Sequence, residues 1–179
     1  MKNIRLLMTV CILATSLLAS SRTVAVELVL DNTPAKLYFS PDGGCTKAIV
    51  REIETASREI LVQAFSFTSA PIRNALIIAR KRGVNVEVIL DKGEQTEQGF
   101  RTTINLAKNG ISAYIDDQHS NAHNKLIIID RETAITGSFN FTYAAESKNA
   151  ENVLIVKSKG LAAAYADNWL SHRQHSKKF

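Results

Sequence analysis

Four consecutive large apolar residues, Leu126-Ile127-Ile128-Ile129, lie between a polar pair and a chain reversal. A run this short and this apolar reads as a buried strand. Residues two apart on a strand share a face. His123 and Lys125 before the run therefore project together, as do Ser138 and Asn140 beyond the reversal Asp130-Arg131-Glu132-Thr133. Arg131-Glu132 is a poor two-residue hairpin turn, lacking Gly or Asn. A symmetric turn about it, or a four-residue loop, sets His123 opposite Asn140 and Lys125 opposite Ser138. Four polar side chains then form one patch on a hairpin. A three-residue loop shifts the register by one and scatters them.

The surrounding chain alternates between strand and helix patterns. Strands are expected at Lys36–Phe39, Ile60–Phe65, Val84–Leu90, Ile111–Ile115 and Val153–Val156. Helices are expected at Thr46–Ser57, from a Ser69 cap to Arg82 with Gly83 as its stop, at about 96–108, and from Leu161 to about His172. Strand-helix repetition followed by a hairpin predicts an α/β fold, a mixed sheet with helices on both faces.

The first 25 residues have the layout of a secretory signal peptide. Lys2 and Arg5 make a basic start, residues 6–18 are apolar, and Thr23-Val24-Ala25 offers a small-residue cleavage site. The reading predicts a periplasmic or secreted protein cut near Ala25, with residues 26–179 as one domain. Cleavage removes Lys2, Arg5 and Arg22 and no acid, so the net charge falls from +5 to +2. Attraction to nucleic acid must then rest on local basic clusters, such as Arg80-Lys81-Arg82 or Arg173 with Lys177 and Lys178. These also suit helix C-terminal ends and a solvated tail. Cys45 is the only cysteine left after processing, so no disulfide forms within the mature chain, and burial is expected for it.

His123-x-Lys125, then Asp130, then Gly137-Ser138-x-Asn140 is similar to the signature motif of the phospholipase D superfamily of phosphodiesterases. Ala64–Thr68 and Lys148–Asn152 extend the resemblance. The mature sequence as a whole resembles the small, single-motif, secreted bacterial endonucleases of that superfamily. The resemblance implies an α-β-α sandwich, phospholipase D-like. It also implies a homodimer whose active site lies on the two-fold axis, where His123 of one subunit attacks and His123 of the other protonates the leaving group. It assigns Glu151 to a hydrogen bond with the nucleophilic histidine.

The residue types fit the reaction. An imidazole nitrogen can attack phosphorus and later be displaced, dividing the reaction into two easier steps. Lys125 supplies positive charge, and Ser138 and Asn140 can donate hydrogen bonds to the non-bridging phosphate oxygens. Lys125 and Asn140 are thus candidates both for catalysis and for phosphate binding. Asp130 is expected to hold the turn, and Gly137 to allow close backbone approach. His119 with Asp116, Asp117 and His123 follows no recognisable zinc spacing, so no metal or other cofactor is expected. Trp169 and Tyr165 read as the apolar face of the last helix, and Phe65, Phe67, Phe139 and Phe141 as packing around the site.

The favoured substrate from sequence is nucleic acid. The expectation is a metal-independent, non-specific endonuclease cleaving DNA or RNA through a phosphohistidine intermediate. The alternative is a phospholipase D hydrolysing phospholipid head groups with the same residues. A lipid enzyme should carry an exposed apolar rim, and none stands out in the sequence beyond the signal segment.

Overall fold

The computed structural model describes residues 28–30 and 32–179, and the segment read as a signal peptide lies outside them. Eight strands form one mixed sheet. In chain order the elements are β1 (Ala35–Ser40), α1 (Cys45–Thr55), β2 (Glu59–Ala64), α2 (Ala70–Lys81), β3 (Asn85–Asp91), a short 3-10 turn, α3 (Glu97–Lys108) and β4 (Ser112–Asp116). They continue with β5 (Lys125–Ile129), β6 (Thr133–Gly137), α4 (Tyr143–Ser147), β7 (Glu151–Lys157), α5 (Lys159–His175) and β8 (Lys177–Lys178). The spatial order is β1-β7-β6-β5-β2-β3-β4-β8. β2, β3 and β4 run parallel, linked by α2 and α3, and every other neighbouring pair is antiparallel.

The apolar run is the hinge of the core. Ile127 and Ile129 face the larger cluster, which α1, α2, α3 and α4 complete with Ile49, Ile72, Leu106 and Ala145. Leu126 and Ile128 face the smaller cluster, covered by Ala162, Ala166 and Trp169 of α5. Period-two alternation thus sends half of this one strand into each layer. Trp169 is fully buried, and its indole N–H donates to the Val62 carbonyl at 2.8 Å. Cys45 is buried and free.

The hairpin register differs from the symmetric expectation. Leu126 pairs with Thr136 and Ile129 with Thr133, leaving a three-residue loop, Asp130-Arg131-Glu132. Asp130 and Arg131 both adopt left-handed conformations, with φ of 54° and 55°. The Glu132 N–H donates to the Ile129 carbonyl at 2.9 Å. The result is a primed turn made without glycine, followed by one extra residue before pairing begins. Continued outward, this register sets Lys125 level with Gly137, so the square patch drawn from a symmetric turn does not form.

Other departures have local causes. Ser69 sits at the α2 N-cap position, but its side chain makes no capping bond. Instead its backbone N–H donates to Phe141 at 2.8 Å. Helix α5 starts earlier than expected because Ser158 caps it, accepting from the Leu161 N–H at 3.3 Å, and Gly160 in the first turn hides that start. The five-residue α4 escaped the sequence reading. It carries Glu146, whose carboxylate accepts from the N–H groups of Gly44 and Thr46 at 3.1 and 2.6 Å. That places a negative charge at the start of α1, where the helix dipole favours it.

Candidate active site

Lys125 opens β5 and is 8% exposed. Its ammonium donates to the His123 carbonyl at 2.7 Å and lies 4.9 Å from the centre of the Phe65 ring. The His123 imidazole, on an exposed loop residue, packs against the same ring at 4.4 Å. Phe65 follows β2, and its N–H donates to Asn124 at 3.0 Å, which aligns the platform with the loop. Burial lowers the Lys125 pKa below its ordinary value, and the charge of Glu151 opposes that shift. Burial thus strips part of the water from the ammonium, which strengthens its attraction for an anion.

Across the hairpin, Gly137 has φ of 151°, and a Cβ built there would stand 2.2 Å from the Asn152 carbonyl oxygen. Only glycine lets β6 pass this close to the chain of β7. Ser138 is exposed, and its Oγ accepts from the Asn152 backbone N–H at 3.1 Å and from its Nδ2 at 3.3 Å. With both acceptor positions engaged, the hydroxyl proton is left to donate outward. Asn140 is half-buried, and its Oδ1 is buried without a hydrogen-bond partner among the described residues.

Glu151 opens β7, two strands from the His123 loop. Its Oε1 accepts from Asn149 Nδ2 at 3.1 Å, and no hydrogen bond to His123 forms among the described residues. The Glu151–His123 bond implied by the resemblance is therefore not made in this conformation. Asn149 takes the carboxylate, while the imidazole lies against Phe65. A cleft of about 190 Å³ gathers His123, Lys125 and Gly137 with Thr136, Tyr165 and Asn168. Ser138, Asn140 and Glu151 are not among the residues that line it. Tyr165 and Asn168 come from α5, and nothing in the sequence marked them, because Tyr165 reads as core.

Asp130 lies at the far end of β5 from this cleft. Its carboxylate accepts from the backbone N–H groups of Ser57, Arg58 and Glu59 and from the Ser57 hydroxyl, at 2.8 to 2.9 Å. Burial alone would raise its pKa, but the hydrogen bonds from Glu59, Ser57 and Arg58 together hold it below the usual carboxylate range. Asp130 therefore braces the α1–β2 connection. A wider depression of about 570 Å³ beside it is lined by Arg58, Glu59, Arg131 and Lys159 among others, and by no histidine, serine or cysteine.

Nor does the structure assemble the metal-ligand set considered from sequence. Asp117 pairs with Lys177 at 2.5 Å, and His123 stands apart on Phe65. Asp116 and His119 instead meet His172 and His175 from α5. All three histidines other than His123 are thus committed around one carboxylate.

Comparison with known proteins agrees with this architecture. Residues 49–172 match the family model described as cardiolipin synthase, PLD-like domain. A phospholipase D from Rickettsia felis is 45% identical over 135 residues, spanning 75% of this chain and 67% of that protein. A phospholipase D from Rickettsia prowazekii is 44% identical over 147 residues, spanning 82% and 71%. The crystal structure of Nuc from Salmonella typhimurium, a phospholipase D family member, aligns with a TM-score of 0.80 at 32% identity. That alignment covers 82% of this chain and 98% of Nuc.

Proposed function

This chain belongs to the phospholipase D superfamily and is a phosphodiesterase, and we propose that it hydrolyses the head-group phosphodiester of phospholipids through a covalent intermediate on His123. One observation carries the chemistry: an exposed imidazole and a partly desolvated ammonium share the Phe65 ring and open on one cleft. A ring nitrogen of His123 attacks phosphorus, and the bond from phosphorus to the head-group oxygen breaks. Lys125, with Ser138 and Asn140, offsets charge on the non-bridging oxygens. Water then attacks phosphorus, the phosphorus–nitrogen bond breaks, and phosphatidic acid and the free imidazole result. The reaction needs no metal at phosphorus.

The departing alkoxide needs a proton, and a histidine suits that task near neutral pH. The chain has four histidines, and the other three converge on Asp116. We therefore assign the acid to the His123 of a second copy, with two chains sharing one site. The two identical imidazoles then start in different protonation states.

The sequence alone favoured nucleic acid. Two considerations move the preference to lipid: both Rickettsia relatives carry the name phospholipase D, and the edge strand β1 exposes two large apolar side chains. Leu37 and Phe39 of β1 are 55% and 59% exposed. Phe39 pairs with Asn152, and the next residue, Ser40, pairs with Glu151. Nucleic acid stays as the second reading because His123 is exposed, which suits a polymer backbone as well as a lipid head group.

Phosphatidylcholine and cardiolipin vesicles, single-stranded DNA and plasmid DNA should each be offered to the mature protein in excess EDTA, with a primary alcohol present. An alcohol can replace water in the second step, so lipid turnover should yield a phosphatidyl-alcohol alongside phosphatidic acid, and His123→Ala should yield neither. DNA cleavage with untouched vesicles would replace the lipid reading by the nuclease one. Silence on all substrates from a folded protein would sink both.

A further inference from the structure

We propose that Asp116, His119, His172 and His175 form a structural binding site for one divalent transition-metal ion of the zinc class. Their ligand atoms all lie within 4.8 Å of one another. Asp116 ends β4 and is fully buried. Its Oδ1 accepts from the backbone N–H groups of Gln118 and His119 at 3.2 and 3.3 Å, which fixes the carboxylate. Its Oδ2 faces three ring nitrogens: His119 Nδ1 at 2.9 Å, His172 Nδ1 at 3.1 Å and His175 Nε2 at 3.4 Å.

Hydrogen bonding alone accounts poorly for this convergence. One carboxylate oxygen has two lone pairs in its plane, and three ring nitrogens crowd it, with His119 Nδ1 also 3.1 Å from Oδ1. If all three rings were protonated to pair with Asp116, three like charges would stand with ring centres 4.9 to 5.4 Å apart. A tetrahedral ion with ligand bonds of about 2.0–2.1 Å has ligand-to-ligand edges of about 3.3 Å. The three nitrogen–oxygen separations, 2.9 to 3.4 Å, bracket that edge. Small side-chain rotations that draw the nitrogens together would close the set.

The donor chemistry selects the ion. Three imidazoles and one carboxylate suit zinc, nickel, cobalt or copper, whereas magnesium and calcium prefer all-oxygen shells. Three neutral rings, one negative carboxylate and a divalent ion sum to a single positive charge, so the buried acid is neutralised. Asp116-x-x-His119 and His172-x-x-His175 supply two short-spaced pairs, the second on one face of the last turn of α5. Four protein ligands leave no open position, the mark of a structural zinc site.

Its place in the fold shows what it would hold. Asp116 ends β4, and β5, the strand that follows His123, lies three strands away in the sheet, about 14 Å at ordinary strand spacing. The ion therefore does not touch the reacting phosphate. It would clip the end of β4 to the end of α5, immediately before β8 pairs with β4 through Lys177 and Lys178. His119 also lies four residues before His123, on a loop otherwise tied by Ala122 N–H to Asp91 at 2.6 Å. The ion and Asp91 would together anchor the segment that presents the nucleophile.

The test is zinc titration of the EDTA-stripped, dialysed mature protein by calorimetry, with metal content and thermal melts in parallel. One zinc per chain should bind and raise Tm. Cobalt in its place should give the visible absorption of a four-coordinate ion. His119→Gln, on the exposed loop, keeps the fold and should weaken binding by at least about 100-fold. His172→Gln with His175→Gln should abolish it. Binding by His119→Gln and by the double variant as tight as by wild type would overturn the proposal. So would a wild-type protein, folded by circular dichroism, that takes up no zinc at micromolar concentrations.

Discussion

Asp130 belongs to the sequence motif, yet its position makes it a fold residue, and Asp130→Ala separates the two roles. The substitution removes four hydrogen bonds, three from backbone N–H groups and one from the Ser57 hydroxyl. Bonds to a charged acceptor contribute about 1.5–3 kcal/mol each when buried. Here three of the four are solvent-exposed, so water replaces most of their worth. The exception is the partly buried Glu59 N–H. Alanine also tolerates the left-handed backbone at φ 54° less well than aspartate does. A total loss of about 2–4 kcal/mol follows from these contributions. For a domain of this size that lowers Tm by about 5–15 °C. The assay is urea unfolding paired with kcat at saturating substrate, measured well below the variant's Tm. Stability should fall while kcat stays within about threefold, because the cleft lies at the other end of β5. The pKa direction adds a sign. A carboxylate depressed in the folded state stabilises above its unfolded pKa, and that contribution is lost as pH falls through the folded value. The stability gap between wild type and Asp130→Asn should therefore be full at neutral pH and shrink below about pH 4. A collapse of kcat with unchanged stability would refute the assignment and return Asp130 to the chemistry.

Gly137→Ala should destabilise by about 2–4 kcal/mol, since its Cβ meets a backbone carbonyl that cannot swing aside. It should also reduce activity as β6 and β7 part near Ser138; an unchanged melt would show that the strands already have room. Because Lys125 titrates below its ordinary 10.5, kcat/KM should decline on the alkaline side before that pH. A plateau running past it would mean that the ammonium is not needed. Trp169→Phe leaves the Val62 carbonyl without its donor and should cost about 1–3 kcal/mol with activity intact, checked by the same pair of assays.

Much of the fold was legible because short-range signals and the core agreed. Leu126–Ile129 announced a buried strand, and the helix expected to end at Arg82 carried its own stop in Gly83. The hairpin register was not legible. Asp130 holds a left-handed conformation while bonded to Ser57, Arg58 and Glu59, at least 71 residues away in sequence. No local turn rule contains that information. His123 and Lys125 stood out through their spacing, but the Phe65 platform that joins them is a contact between strands. Nor could Glu151's distance from the imidazole be read, since it depends on Asn149 and on the position of β7. The His119 cluster was hidden for a similar reason. Asp116 and His119 followed no recognisable zinc spacing, and His172 only marked a helix end, until the fold brought Asp116 and His172 together across 56 residues.

The mechanism turns on a covalent intermediate on His123 in a site shared by two copies. Because a phosphorus–nitrogen bond is acid-labile, the decisive measurement is rapid quenching into cold alkaline denaturant during turnover in EDTA, followed by intact-mass and peptide analysis at alkaline pH. An adduct bearing the substrate's phosphoryl group should appear on His123, at no more than one per two chains, and be absent from His123→Ala. Undiminished turnover by His123→Ala would contradict it. So would an adduct mapped to any other residue.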